Sequence, residues 1–270
     1  MAGKFFNISK RLILYLRIWL TMSRNSFMIY LNQKKILAIF LTGKILRFSF
    51  FVAFLYFLVV GSESLAGYSV NQTLFFFLTF SLIDSISQFL FREVYRFRTL
   101  VVTGDLDLIL VKPINTLFRV LMGGADVIDL ITLPPLFFAV WYVGIRLDPS
   151  TLQVFLYLLM ILNGLFLATA FHIAVLALGI VTLEIDNTIM IYRDVTNLGR
   201  LPIDIYREPL RGILTYLIPV GVMITLPAKA FMGLVTPVGV FISFGLGIVV
   251  LSASLKVWGF ALKKYSSASS

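Results

Sequence analysis

Lys44 and Arg47 lie three residues apart, and so do Asp126 and Asp129, so each pair shares one face of a helix. All four fall in otherwise apolar runs, where a charge costs at least ~2.5 kcal/mol on insertion scales. Both pairs fall in the first halves of their spans. Two readings follow. The basic pair meets the acidic pair as an ion-paired cluster between the first and third spans, or Lys44 and Arg47 snorkel to lipid headgroups. A third polar set, Asp186, Arg193, Asn197 and Arg200, recurs at spacings of seven, four and three. On a helix this makes one hydrophilic stripe, which either lines a translocation path or forms a solvated face. Glu184 and Asp84 stand as single intramembrane candidates. His172, in an apolar run, reads as a hydrogen-bonded packing residue rather than a proton relay.

Other chemistries are excluded or disfavoured by composition. Zero cysteines remove disulfides, thiolate metal sites, iron–sulfur ligation and Cys nucleophiles. A single histidine disfavours a His-based metal cluster or a catalytic triad. The only Gly-Lys steps are Gly3-Lys4 and Gly43-Lys44, followed by Phe and Ile, so no phosphate loop is present and the chain is not expected to hydrolyse ATP. No H-E-x-x-H or G-x-S-x-G pattern occurs.

The elements that must position these residues are membrane helices. Of 270 residues, 59% are hydrophobic and only 13% charged, with a net charge of +10 and a mean hydropathy of +0.96. That places the chain in a bilayer. Nine of the 23 Lys and Arg fall in residues 1–60 without one acid among them, beside runs long enough to span, which points to a membrane surface and not to nucleic acid. Lys10, Arg11, Arg17 and Arg24 interrupt every early apolar run, so no secretory signal is formed and the N-terminus is expected to stay on the chain. Residues 8–31 read as an in-plane amphipathic helix with Lys10, Arg17, Thr21 and Arg24 on one side and Ile13, Leu16, Trp19, Leu20 and Phe27 on the other.

Spans are expected at about 36–60, 73–91, 120–145, 152–180 and 238–262. The loop from Arg92 to Arg119 carries five Lys and Arg, which assigns it to the cytoplasm. Its alternating apolar content suggests short amphipathic helices, with a turn at Gly104 and Asp105 and a stop at Pro113. Lys263 and Lys264 put the C-terminus on the same side as the N-terminus. Between 182 and 234 two six-span models fit. In the first, 182–211 is cytoplasmic, as Arg193, Arg200, Arg207 and Arg211 favour, and 214–234 crosses. In the second, 180–198 crosses as a polar helix and 214–234 is a re-entrant external hairpin that dips and returns at its prolines, tolerable only where protein buries it.

The segment TGDLDLILVKPINTLFRVL, Thr103 to Leu121, resembles bacterial type-2 ATP-binding-cassette permeases, in which a Gly-x-Leu-Asp turn precedes an apolar stretch, a basic residue and Pro. Those positions are Gly104, Leu106, Asp107, Lys112, Pro113, Leu117, Phe118, Val120 and Leu121. A second block, Leu201 to Gly233, is similar at Pro202, Ile205, Tyr206, Leu210, Arg211, Pro219, Pro227, Ala228 and Gly233; it departs at Arg207, where the family has a second proline. The resemblance covers essentially the whole chain.

The resemblance implies an all-α membrane protein of six transmembrane helices with an in-plane N-terminal helix. It makes 1–270 a single permease domain: an interfacial helix at 1–35, a cytoplasmic coupling loop at 92–119 and an external hairpin at 201–234 containing Pro202, Pro219 and Pro227. It favours the second topology against the arginine count. It implies a subunit, most simply of an exporter in the bacterial inner membrane, that pairs with a second permease chain as homodimer or heterodimer. The partner ATPase subunits would bind ATP and Mg2+, leaving this chain without a cofactor. Coupling is expected at Glu93, Arg96, Arg98, Gly104, Asp105, Asp107, Lys112 and Pro113. Two readings from other classes remain: a membrane enzyme acting on lipid or isoprenoid phosphates through Lys44, Arg47, Asp186 and Arg193, and a non-transporting anchoring subunit.

Overall fold

A computed structural model describes residues 2–182 and 185–265. Glu184 lies outside the described residues. Helix α1 (Ala2–Asn32) is separated by Gln33 from α2 (Lys34–Ser62), and α3 (Val70–Phe91) follows a short turn. Ser69 and Gln72 start α3 reciprocally: the Ser69 hydroxyl accepts from the Gln72 amide at 3.4 Å, and the Gln72 side chain accepts from the Ser69 amide at 2.9 Å. After a tight turn over Arg92–Arg96 come three short helices, α4 (Phe97–Val102), α5 (Asp105–Leu110) and α6 (Thr116–Leu121). Helices α7 (Val127–Gly144), α8 (Thr151–Thr182) and α9 (Ile185–Asn197) follow. Two helical arms, α10 (Leu210–Leu217) and α11 (Gly221–Phe231), bend by 75° at Ile218–Val220, and α12 (Pro237–Lys264) ends the bundle.

The chain is an all-α membrane protein. Helices α2, α3, α7, α8 and α12 are long and apolar enough to cross a bilayer. Packing is uneven: 61% of the apolar window is buried in α3 and in α8 but only 11% in α2, so α3 and α8 form the centre and α2 leans on the periphery. One core cluster joins α3, α7, α8 and α11 around Phe75, Phe76, Leu167 and Met223. A second, around Phe97, Leu106, Leu176 and Trp258, fastens the short helices to the ends of α8 and α12.

These contacts decide between the two topologies. Gln153 near the start of α8 lies against Gly233, Asn163 donates to the Ser243 carbonyl at 3.0 Å, and Ile180 shares a cluster with Ala261, so α8 and α12 run parallel. The chain between them must therefore cross the bundle once. That crossing is made by α9 and the segment after it: Asp186 pairs with Arg98 at the end where Ile180 and Ala261 lie, Arg200 lies level with Phe80 in mid-bundle, and Asp204 meets Tyr68 at the opposite end. Arms α10 and α11 enter and leave at that opposite end, where Arg211 and Lys229 both reach Asp204 and Phe231 stacks on Phe75. Val220 to Thr225 are all buried, which meets the demand that irregular backbone at membrane depth be covered by protein. The arginine count misleads because α9 is short and polar yet packed along α8, with Tyr192 against Phe171 and His172.

Two expected features differ. The third span begins at Val127, not near 120, because Gly123 and Gly124 break the helix and Asp126 caps the next, its carboxylate accepting from Ile128 N at 2.7 Å. Only Pro219 marks the bend of the hairpin; Pro227 lies in the first turn of the Leu226–Phe231 helix, where a proline fits.

Candidate functional site

A cavity of about 320 Å³ opens between α2, α3, α7 and the end of α9. Phe48, Phe51, Phe77 and Phe80 supply its apolar wall, and Lys44, Arg47, Asp84 and Arg200 its charges. The periodicity of α2 brings Lys44 and Arg47 round to α3 and α7. The Lys44 ammonium pairs with Asp129, whose side chain is nearly covered, and also donates to the Thr132 hydroxyl at 3.0 Å. Asp126 is buried and pairs with Arg92 Nε at 3.1 Å, so the expected contact between Arg47 and Asp126 is not formed. The reason is geometric: as the N-cap of α7, Asp126 sits at the bundle end, beside the last turn of α3 where Arg92 begins.

Arg47 forms no ion pair among the described residues, and neither does Arg200, whose guanidinium lies 5.6 Å from the ring centres of both Phe51 and Phe80. Asp84 accepts from Gln88 Nε2 at 3.2 Å. The rest of the polar stripe does not converge on the cavity. Asp186 is held by Arg98 at 3.4 Å and Arg193 lies over the Tyr95 ring, so the four residues of the enzyme reading do not form one site. His172 is fully buried, its Nδ1 donating to the Ala168 carbonyl at 2.7 Å, enclosed by Phe91, Tyr95 and Tyr192.

At the end where Ile180 and Ala261 lie, Gly104 takes a left-handed φ of 77° between α4 and α5, a conformation that favours glycine. The expected coupling residues separate into two groups. Glu93 is buried and receives Arg119 at 3.0 Å and Arg96 at 3.7 Å, and Arg98 reaches Asp186, so these charges fasten the loop internally. Asp105, Lys112 and Pro113 are exposed, while Gly104 and Asp107 are half-buried. Beside them stand Val102, Leu108 and Val111, the last 81% exposed, an apolar tip that residue types alone do not single out. A signal for it exists in the spacing: in a six-residue helix whose Leu106 and Ile109 face inward, Leu108 must face out.

The α1 helix lies across this end. Tyr15 packs edge-on against Phe118 at 4.7 Å and accepts from Asn115 N, Ser23 accepts from Ala125 N at 3.1 Å, and Trp19 meets Phe89.

At the opposite end Asp204 gathers both arms of the hairpin. It accepts from Tyr68 at 2.9 Å, pairs with Lys229 at 2.7 Å and with Arg211 at 3.3 Å. Burial alone would raise the Asp204 carboxyl, but the hydrogen bonds and charges of Lys229, Tyr68 and Arg211 outweigh it and hold it below its ordinary value. The Tyr68 hydroxyl is pushed up by burial and by the same carboxylate. Nothing in the sequence singles out Tyr68, Asp204 or Lys229, because each is one charge or hydroxyl in a different segment.

No curated protein and no solved structure matches the chain. A family model described as ABC-2 family transporter protein matches residues 44–269, which covers the cavity, the short helices and the hairpin. This chain therefore belongs to the ABC-2 transporter family and is a multi-pass membrane permease subunit of an ABC transporter.

Proposed function

We propose that the chain is one of two permease subunits of an exporter in the bacterial cytoplasmic membrane, with both termini cytoplasmic and residues 1–270 acting as one permease domain. Two ATPase chains dock beneath the surface built from residues 92–119. ATP is bound with Mg2+ and hydrolysed on those chains, and the permease itself carries no cofactor. Cassette closure shifts the balance between two arrangements of the bundle, which requires a stiff contact to transmit the motion.

The observation that carries this reading is the apolar tip of Val102, Leu108 and Val111 beside Asp105 and Lys112. It stands on short helices fastened to α8 and α12 through Phe97, Leu106 and Trp258, so a push on the tip reaches the bundle core. The basic residues at this end, Lys10, Arg11, Lys34, Lys35, Lys263 and Lys264, support its cytoplasmic placement. Residues 1–35 then lie in the interface, and the hairpin within 201–234 lies outside. The second permease copy covers the open faces of α2 and α9, where Ile39, Phe40, Met190, Ile191 and Asp194 are exposed. The cavity lined by Lys44, Arg47, Asp84 and Arg200 is the entry to the translocation path.

The test is affinity purification in detergent from the native cell. ATPase chains are expected to co-purify with the wild type and to be lost on changing Leu108→Asp together with Val111→Asp. Recovery unchanged by that double substitution, and by Asp107→Arg with Lys112→Glu, sinks the docking assignment.

A further inference from the structure

We propose that the cavity between α2, α3, α7 and the end of α9 binds an amphiphile with a single phosphodiester-type negative charge, Arg47 and Arg200 taking the head and the phenylalanine wall taking the apolar tail. The proposal rests on the permease reading and names its substrate class. The charge balance of the lining sets the sign and the number. Lys44 is neutralised by Asp129 from behind the cavity, and Asp84 adds one negative charge to the lining without pairing with either arginine. One positive charge is left over, in a wall otherwise built of four phenylalanines, Ile45, Pro135 and Leu136 with three small hydroxyls.

Two arginines facing one cavity repel each other, and neither has a carboxylate partner among the described residues. In an apolar bundle unpaired charge is expensive, and such residues mark binding or transport sites. The guanidinium is suited to an oxyanion because its planar fork donates two parallel hydrogen bonds. Arg200 already rests against two rings, its guanidinium 5.6 Å from the centres of both Phe51 and Phe80, which lowers the ordering lost on binding. Arg47 is exposed on the loosely packed α2 and so stands at the mouth. The volume, about 320 Å³, lies at the small end of ligand pockets, enough for a head and the first part of one chain while the remainder extends past α2.

The experiment is native mass spectrometry of the full-length chain in a nonionic detergent with four probes. These are oleoyl lysophosphatidylglycerol, the zwitterionic lysophosphatidylcholine with the same tail, two-tailed phosphatidylglycerol, and glycerol phosphate. Lysophosphatidylglycerol is expected to bind at least about tenfold more tightly than the choline lipid, and glycerol phosphate not to be retained. Comparable retention of the two-tailed lipid identifies the site as one for membrane lipid; preference for the single tail identifies a free amphiphile. Arg47→Gln and Arg200→Gln are each expected to weaken binding about tenfold, the usual scale of a charge-assisted hydrogen bond. Arg200→Lys, which keeps the charge and loses the fork, is expected to fall between. Arg11→Gln, on exposed α1 far from the cavity, should change nothing.

Equal binding of the glycerol and choline lipids overturns the proposal. So does an Arg47→Gln variant that loses the dimer mass while binding lipid as before, since Arg47 would then be a subunit contact. Co-purification of ATPase chains from the same cells separates the two ideas. Recovery without selective lipid binding rejects this site and leaves the permease reading standing, whereas selective binding without recovery does the reverse.

Discussion

Lys44 is the point at which a charge inside the bundle is satisfied, and its partner Asp129 is the more deeply buried of the two. Removing one member of such a pair leaves the other uncompensated. Asp129→Asn is expected to lower stability by about 2 kcal/mol, less than the ~3–5 kcal/mol of a fully buried pair because the lysine retains partial exposure. Replacing both, Lys44→Met with Asp129→Leu, should return most of that loss; thermal unfolding of the three variants in detergent measures it. Asp204 behaves differently because its carboxyl is held low. Its contribution is complete above about pH 4, the unfolded-state range, and fades as pH falls below that through the folded value. Asp204→Asn should therefore cost about 1.5–3 kcal/mol at pH 7 and converge with the wild type in acid. A stability profile from pH 3 to 7 reads the difference. Charged residues set within apolar runs make Lys44 and Asp129 legible from their sequence neighbours alone. Pairing is not legible in that way, since Asp126 and Asp129 share a helix face by spacing yet face Arg92 and Lys44 respectively.

Helical elements follow from the same periodicity, and the five long spans lie close to where hydropathy puts them. The hairpin is set by contact. At Gly164 the backbone of α8 lies so close to α11 that an added Cβ would sit 2.4 Å from the Met223 carbonyl, and Ile83 closes the other side. Gly164→Val must push the hairpin outward, and a loss of about 1–3 kcal/mol is expected, the range for overpacking a filled core. Thermal unfolding measures the loss, and a parallel fall in transport or stimulated ATPase activity would show the hairpin's position to be functional. The short helices α4 to α6 follow from Gly104 and Pro113, yet which of their charges look outward does not. Glu93 is turned inward by Arg119, whose own placement depends on the cap that Asn115 supplies to α6.

Across the whole molecule, the parallel course of α8 and α12 fixes which ends of the bundle face the same side. The absence of cysteine makes that readable directly. Single cysteines at Thr103 and Lys112 are expected to react with an impermeant maleimide only after the membrane is opened, and single cysteines at Ser64 and Glu208 in intact cells. All four positions are exposed. Labelling of Glu208 from the same side as Lys112 would overturn the returning hairpin. The same framework sets the exposed apolar tip of Val102, Leu108 and Val111 at one end and the Asp204 clamp at the other.

Sequence by itself determined the environment, the number of strongly apolar spans, the absence of thiol chemistry and of a phosphate loop, and the charged residues lying within apolar runs. These are properties of local composition and period, and a bilayer enforces them segment by segment. Only the tertiary structure decided that α9 crosses and the hairpin returns, that Asp126 serves as a cap, that Arg47 and Arg200 share one cavity, and that Tyr68, Asp204 and Lys229 meet. Each depends on contacts between residues far apart in the chain, and hydropathy carries no information about which face of a helix meets which neighbour.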